Sequence, residues 1–140
     1  MRILIVEDEP ILAMLTAETL EEGGHEVVGP AHDESEARSL ASQFEVDVAF
    51  VDINLNGHEE GIQVAKFLRE HHGIFSIFVS GQAVAARERG QESIGVLSKP
   101  YTLDDLLNTA LIVKSWLAGE QLPNRIPRTL EIFAERPSKP

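Results

Sequence analysis

The chain has 140 residues, 43% hydrophobic and 25% charged, enough for one globular domain with a sizeable core. It holds no cysteine, which excludes a disulfide framework and a thiolate metal site. The net charge is −11, and residues 120–140 carry four Lys/Arg against three Asp/Glu, so residues 1–119 hold −12, a body that repels phosphate backbones and is not expected to bind nucleic acid.

No apolar run approaches the roughly 18 residues needed to span a bilayer. No basic stretch precedes an apolar one at the N-terminus. No membrane partner is expected, and the expected location is cytoplasmic.

Short apolar segments alternate with amphipathic ones along the chain, the pattern of repeated βα units around a parallel sheet. The first strand is expected at 2–6. The first helix follows at 10–22, with Pro10 in its opening turn, Gly23-Gly24 as its stop, and Ile11, Leu12, Leu15 and Leu20 at helical spacing. A strand at 25–29 leads to a helix at 33–43, where Asp33 serves as N-cap and Glu36 as its capping-box partner. Strands at 46–51, 75–79 and 94–97 alternate with helices at 59–71, 82–89 and 103–118. The last helix starts at Thr102, with Asp104-Asp105 where the helix dipole favours anions.

Five strands and five helices in strict alternation imply a flavodoxin-like (βα)5 doubly wound sheet of order 2-1-3-4-5, with ligands beyond the carboxyl ends of the strands. Residues 1–119 make this domain. Residues 120–140, broken by Pro123, Pro127, Pro137 and Pro140, read as an extension without a separate output domain. Within it Thr129–Arg136 has the composition for two helical turns, a marginal length for an isolated helix.

The same strand ends carry the chemistry. Glu7-Asp8 follow the first strand, Asp52 the third, Ser80 the fourth and Lys99-Pro100 the fifth. Three acids at one rim repel one another, by on the order of 4 kcal/mol per pair about 4 Å apart at a dielectric near 20. Hard oxygen donors of this kind suit Mg2+, held by Glu7, Asp8 and Asp52, with the backbone carbonyl of Asn54 as a further ligand. A carboxylate can attack phosphorus to give an acyl phosphate. Asp52 is then the nucleophile, Lys99 the cation for a phosphoryl oxygen, and Ser80 with the backbone N–H groups near Leu55 and Gly81 the remaining donors. The five histidines show no paired metal spacing; His58 is the one nearest the site in sequence.

The set Glu7-Asp8, Asp52, Ser80 and Lys99-Pro100 resembles the receiver domain of two-component response regulators, in order and at family spacing over about residues 1–118, and the chain resembles a single-domain response regulator. The resemblance implies that Asp52 accepts a phosphoryl group from a histidine kinase or histidine phosphotransfer protein. It implies a metal site at Glu7 and Asp8, Ser80 as switch hydroxyl, Lys99 as the phosphoryl-binding lysine and a cis peptide bond into Pro100. It places Asn54 and Gln82 at the positions that tune phosphate loss. Output then runs to a downstream protein or a second copy through helix 4, strand 5 and helix 5.

This sequence departs from the family in two places. Val96 stands where a switch Phe or Tyr is usual, with Tyr101 the neighbouring aromatic two residues past the lysine. The loop Ile53–Gly61 lacks the usual proline and runs one residue longer. Two other readings share the residues: a haloacid-dehalogenase-like phosphatase, which needs a second acid where Asn54 stands, and a degenerate receiver acting only as a binding module.

Overall fold

The computed structural model describes residues 1–90 and 93–133. Its elements, in order, are β1 (Arg2–Val6), α1 (Pro10–Glu22), β2 (Glu26–Ala31), α2 (Glu34–Gln43), β3 (Val48–Val51), α3 (Glu60–His72), β4 (Phe75–Ser80), α4 (Ala83–Arg89), β5 (Gly95–Ser98), α5 (Leu103–Ala118) and β6 (Leu130–Ile132). They build one sheet of order β2-β1-β3-β4-β5-β6. Neighbours among β1–β5 run parallel, and β6 lies antiparallel on β5. The parallel core and the strand order 2-1-3-4-5 are those expected from the sequence. Among the described residues, no helix is long and apolar enough to cross a membrane.

Helices cover both faces of the sheet, which is why its inner strands are continuous apolar runs. Alternation divides each strand between two cores. Ile3, Ile5, Phe50, Ile77 and Leu97 belong to the layer shared with α1 and α5; Leu4, Val6, Val51, Phe78 and Val96 belong to the layer shared with α2, α3 and α4. The register pairs Val6 with Val51, Val51 with Phe78, and Ser80 with Ser98. The strands therefore end close to one line, and the segments that follow them meet at one rim.

Three local expectations need correction. In α1 the buried residues are Ala13, Thr16, Ala17, Thr19 and Leu20, whereas Ile11 is 76% exposed and Met14 and Leu15 are also exposed. The inward stripe runs 13, 16, 17, 20, and its small residues let α1 approach the sheet closely; the larger apolar residues form a second stripe facing out. At α2, Asp33 does cap the helix, accepting from the Glu36 N–H at 2.8 Å, but the Glu36 carboxylate accepts from the His32 N–H at 3.1 Å, one residue upstream of a capping box. The capping box proper is on α5, between Thr102 and Asp105.

The third correction is the tail. Residues 130–132 form a strand, not helical turns, while 134–136 of the expected helix lie outside the described residues. Two helical turns gain little alone, whereas the open edge of β5 offers unpaired backbone groups. Leu130, 4% exposed, and Ile132 pack on one core layer and Phe133 on the other, the period of a strand.

Candidate functional site

The rim brings Asp52, Lys99, Glu7 and Asp8 together. Asp52 and Glu7 are 7% and 5% exposed. The Lys99 ammonium donates to Asp52 Oδ2 at 2.9 Å and to Glu7 Oε1 at 3.2 Å, so one cation sits between two buried carboxylates. The peptide bond into Pro100 is cis. Carboxylate oxygens of Glu7, Asp8 and Asp52 lie within 4.8 Å of one another. That is a hard, all-oxygen donor set that a divalent cation such as Mg2+ suits.

The carboxylates are held by local backbone. The Asn54 N–H donates to Asp52 Oδ1 at 3.1 Å, and the Glu9 N–H to Glu7 Oε2 at 3.2 Å. The Asn56 N–H donates to Asp8 Oδ2 at 2.9 Å. Asn56 was not singled out from the sequence, yet the signal was there. Asn56-Gly57 has positive φ at both residues (54° and 80°), and Leu55 and His58 exchange backbone hydrogen bonds around it. That is the two-residue turn for which Asn-Gly is the favoured pair. It turns the Asn56 N–H back toward Asp8.

Electrostatics follow from this crowding. Burial, and then the charge of Asp52, push the Glu7 carboxyl up to about 7, against the pull of Lys99. For Asp8, burial acts upward, but the Asn56 N–H and the other hydrogen bonds and charges around it together bring it below the ordinary carboxylate value. Lys99 is raised: its burial is outweighed by the hydrogen bond and charge of Asp52 and by Glu7.

An open cleft of about 430 Å3 lies over these groups, lined by Asp8, Glu9, Asp52, Asn54, Gly57, Ser80, Gly81, Gln82 and Lys99. Ser80 is 1% exposed, and its Oγ accepts from the Gln82 N–H at 3.1 Å. The remaining expected residues lie elsewhere. Leu55 is fully buried, and its N–H is spent on the His58 carbonyl at 2.8 Å, so it is no donor to the cleft as it stands. Val96 is fully buried in β5 opposite Phe78. Tyr101 packs on the core with its hydroxyl buried beside Thr16, and burial raises its pKa. His58 is exposed and enters the site only through its backbone.

Comparison with known proteins agrees with this geometry. Residues 3–111 match the family model of the response regulator receiver domain. The chain is 34% identical over 110 residues to the transcriptional regulatory protein PdtaR of Mycobacterium tuberculosis, covering 76% of this chain and 53% of that protein. The chain thus spans about half the length of that relative. Among solved structures it resembles the receiver domain of NtrX from Brucella abortus (28% identity, TM-score 0.68, covering 78% of this chain and 94% of that one). It also resembles the response regulator TrrA from Thermotoga maritima, solved with Mg2+ and beryllofluoride (25% identity, TM-score 0.70, covering 79% and 96%). The chain belongs to the response regulator receiver family.

Proposed function

We propose that the chain is a phosphoacceptor of a two-component phosphorelay. Asp52 takes a phosphoryl group from a histidine kinase or a histidine phosphotransfer protein. The phosphorylated form is then read by a downstream protein, or by a second copy, through α4, β5 and α5. The observation that carries this reading is the Asp52–Lys99 contact of 2.9 Å at the floor of an open cleft, with the Glu7 and Asp8 carboxylates alongside.

A carboxylate oxygen of Asp52 attacks phosphorus, the P–N bond to the donor imidazole breaks, and the nitrogen leaves with the electron pair. Mg2+ held by Glu7, Asp8, Asp52 and the Asn54 carbonyl would neutralise charge on the phosphoryl oxygens. Lys99 moves from the free carboxylate to a phosphoryl oxygen, and the Ser80 hydroxyl and the Gly81 N–H donate to the others. Val96 is locked in the core with no polar atom to turn, and Tyr101 packs in the core, so the switch rests on Ser80. Asn54 and Gln82 line the cleft as neutral side chains, and neither is a base for an attacking water, so loss of the phosphoryl group is not unusually fast. Residues 1–119 are the receiver, and the extension 120–140 modifies its output face.

The test is incubation with acetyl phosphate and Mg2+. Wild type should acquire one stable, acid-resistant and alkali-labile phosphoryl group, and Asp52→Asn none. Continuous phosphate release over many turnovers would make the chain a phosphatase, and no reaction would leave only a binding module.

A further inference from the structure

The β5 edge between α4 and α5 is the face through which the proposed function would act, and it is filled by the chain's own tail. Strand β6 pairs with it in the register Gly95–Ile132, Val96–Glu131 and Leu97–Leu130. The Ser98 N–H donates to the Thr129 carbonyl at 2.8 Å, and the Phe133 N–H to the Ile94 carbonyl at 2.9 Å. The fit is close: a Cβ at Gly95 would lie 2.0 Å from the Glu131 carbonyl oxygen.

The tail is also tied to the switch. Arg87, in the last turn of α4, donates from Nε to both carboxylate oxygens of Glu131 at 3.0 and 2.8 Å. Arg89, two residues on, pairs with Glu59 in the loop that follows Asp52. At its other end the N-cap of α4 is Gln82, which makes no side-chain capping bond and whose N–H is held by the Ser80 hydroxyl. A helix of seven residues is thus held by Ser80 at one end and by the tail and the acceptor loop at the other. If the Ser80 hydroxyl turns to a phosphoryl oxygen, it withdraws the acceptor from Gln82, and the helix carrying Arg87 is released from its start. The strand is only three residues long and its tie to α4 is an exposed ion pair; its other anchors are Leu130 in the core and the Thr129 hydroxyl, which donates to Asp105 Oδ2 at 3.0 Å.

We infer that β6 is a displaceable latch: in the unphosphorylated chain it occupies the β5 edge and holds α4 through Arg87–Glu131, and phosphorylation of Asp52 frees the edge. This rests on the phosphoacceptor reading, and the experiment separates the two. Amide exchange is followed in the full chain at Phe133 and Ser98, whose N–H groups make the two flanking bonds. It is measured with Mg2+ alone and with Mg2+ and beryllofluoride, a phosphoryl mimic whose binding is read independently from bound 19F signals. Beryllofluoride should speed exchange at both amides by about tenfold or more. Bound beryllofluoride with unchanged exchange overturns the latch and leaves the acceptor intact; failure of beryllofluoride to bind overturns both.

Two sets of variants test the same contact without the mimic. Glu131→Arg should give fast exchange at Phe133 and Ser98 from the outset, and the swap Arg87→Glu with Glu131→Arg should restore slow, beryllofluoride-sensitive exchange. Gly95→Ala should free the strand with Arg87 and Glu131 both in place. Slow exchange in both Glu131→Arg and Gly95→Ala would show that neither contact holds the strand, against the proposal.

Discussion

Lys99 lies between Glu7 and Asp52, and one ammonium does not fully compensate two buried carboxylates. The consequence falls on Glu7, whose carboxyl is raised from 4.5 to about 7. Between these values the folded chain binds more protons than the unfolded one, so this group's contribution to stability is full below about pH 4.5 and is lost as pH rises through about 7. Metal-free wild type should therefore lose stability relative to Glu7→Gln as pH rises through that window, measured by denaturant unfolding at several pH values. A flat difference would place Glu7 outside the charge cluster. Divalent binding selects the ionised form, so the apparent Mg2+ affinity should weaken below pH 7 by up to about tenfold per unit, with one proton released on binding; calorimetry in two buffers measures both. Because the Asp52 charge is part of the cause, Asp52→Asn should lower the Glu7 titration midpoint, read from its carboxyl carbon shift.

Element geometry, more than side-chain identity, holds these groups in place. Gly61 stands in the first turn of α3, where a Cβ would come within 2.0 Å of the Asp52 carbonyl oxygen. Gly57, with φ 80°, has open space around it. The two therefore fail differently when changed to alanine. Gly57→Ala should cost about 1 kcal/mol through backbone strain alone and weaken Mg2+ binding by loosening the Asn56 N–H on Asp8. Gly61→Ala should cost roughly 1–3 kcal/mol and displace Asp52 itself, so the rate of labelling by acetyl phosphate falls more than stability does. Equal loss of labelling in both would make the turn, not the helix start, the element that positions Asp52.

The strands and the four-segment site were legible because a parallel sheet turns the order of apolar runs into spatial neighbours, and Glu7, Asp8, Asp52, Ser80 and Lys99 each stand at a run's end. What the sequence concealed depended on tertiary alternatives. The outward stripe Ile11, Met14 and Leu15 is apolar by composition and looks like core; only packing shows that Ala13 and Ala17 face in. Residues 130–132 suit a strand only if an edge is available, and nothing local announces that β5 offers one. Leu55 was a plausible donor until the Asn-Gly turn claimed its N–H.

At the scale of the whole molecule, the outward stripe of α1 joins the site to the surface. The cleft is lined by Glu9, and α1 begins at the next residue, so Ile11, Met14 and Leu15 lie beyond the mouth of the site on an otherwise strongly acidic body. A small phosphodonor needs only the cleft. On the proposed function, a protein donor would bring a phosphohistidine over the same mouth and would cover this apolar stripe, whose burial is worth about 25 cal/mol per Å2. Ile11→Glu and Met14→Glu should then leave labelling by acetyl phosphate within about twofold of wild type while lowering transfer from a phosphorylated histidine donor by roughly tenfold or more. Both residues are exposed, so stability should hardly change. If both donors lose equally, the substitutions have disturbed the cleft; if neither does, the donor approaches from the α4 side, over Gly81 and Gln82, and would compete with the surface that reads the signal.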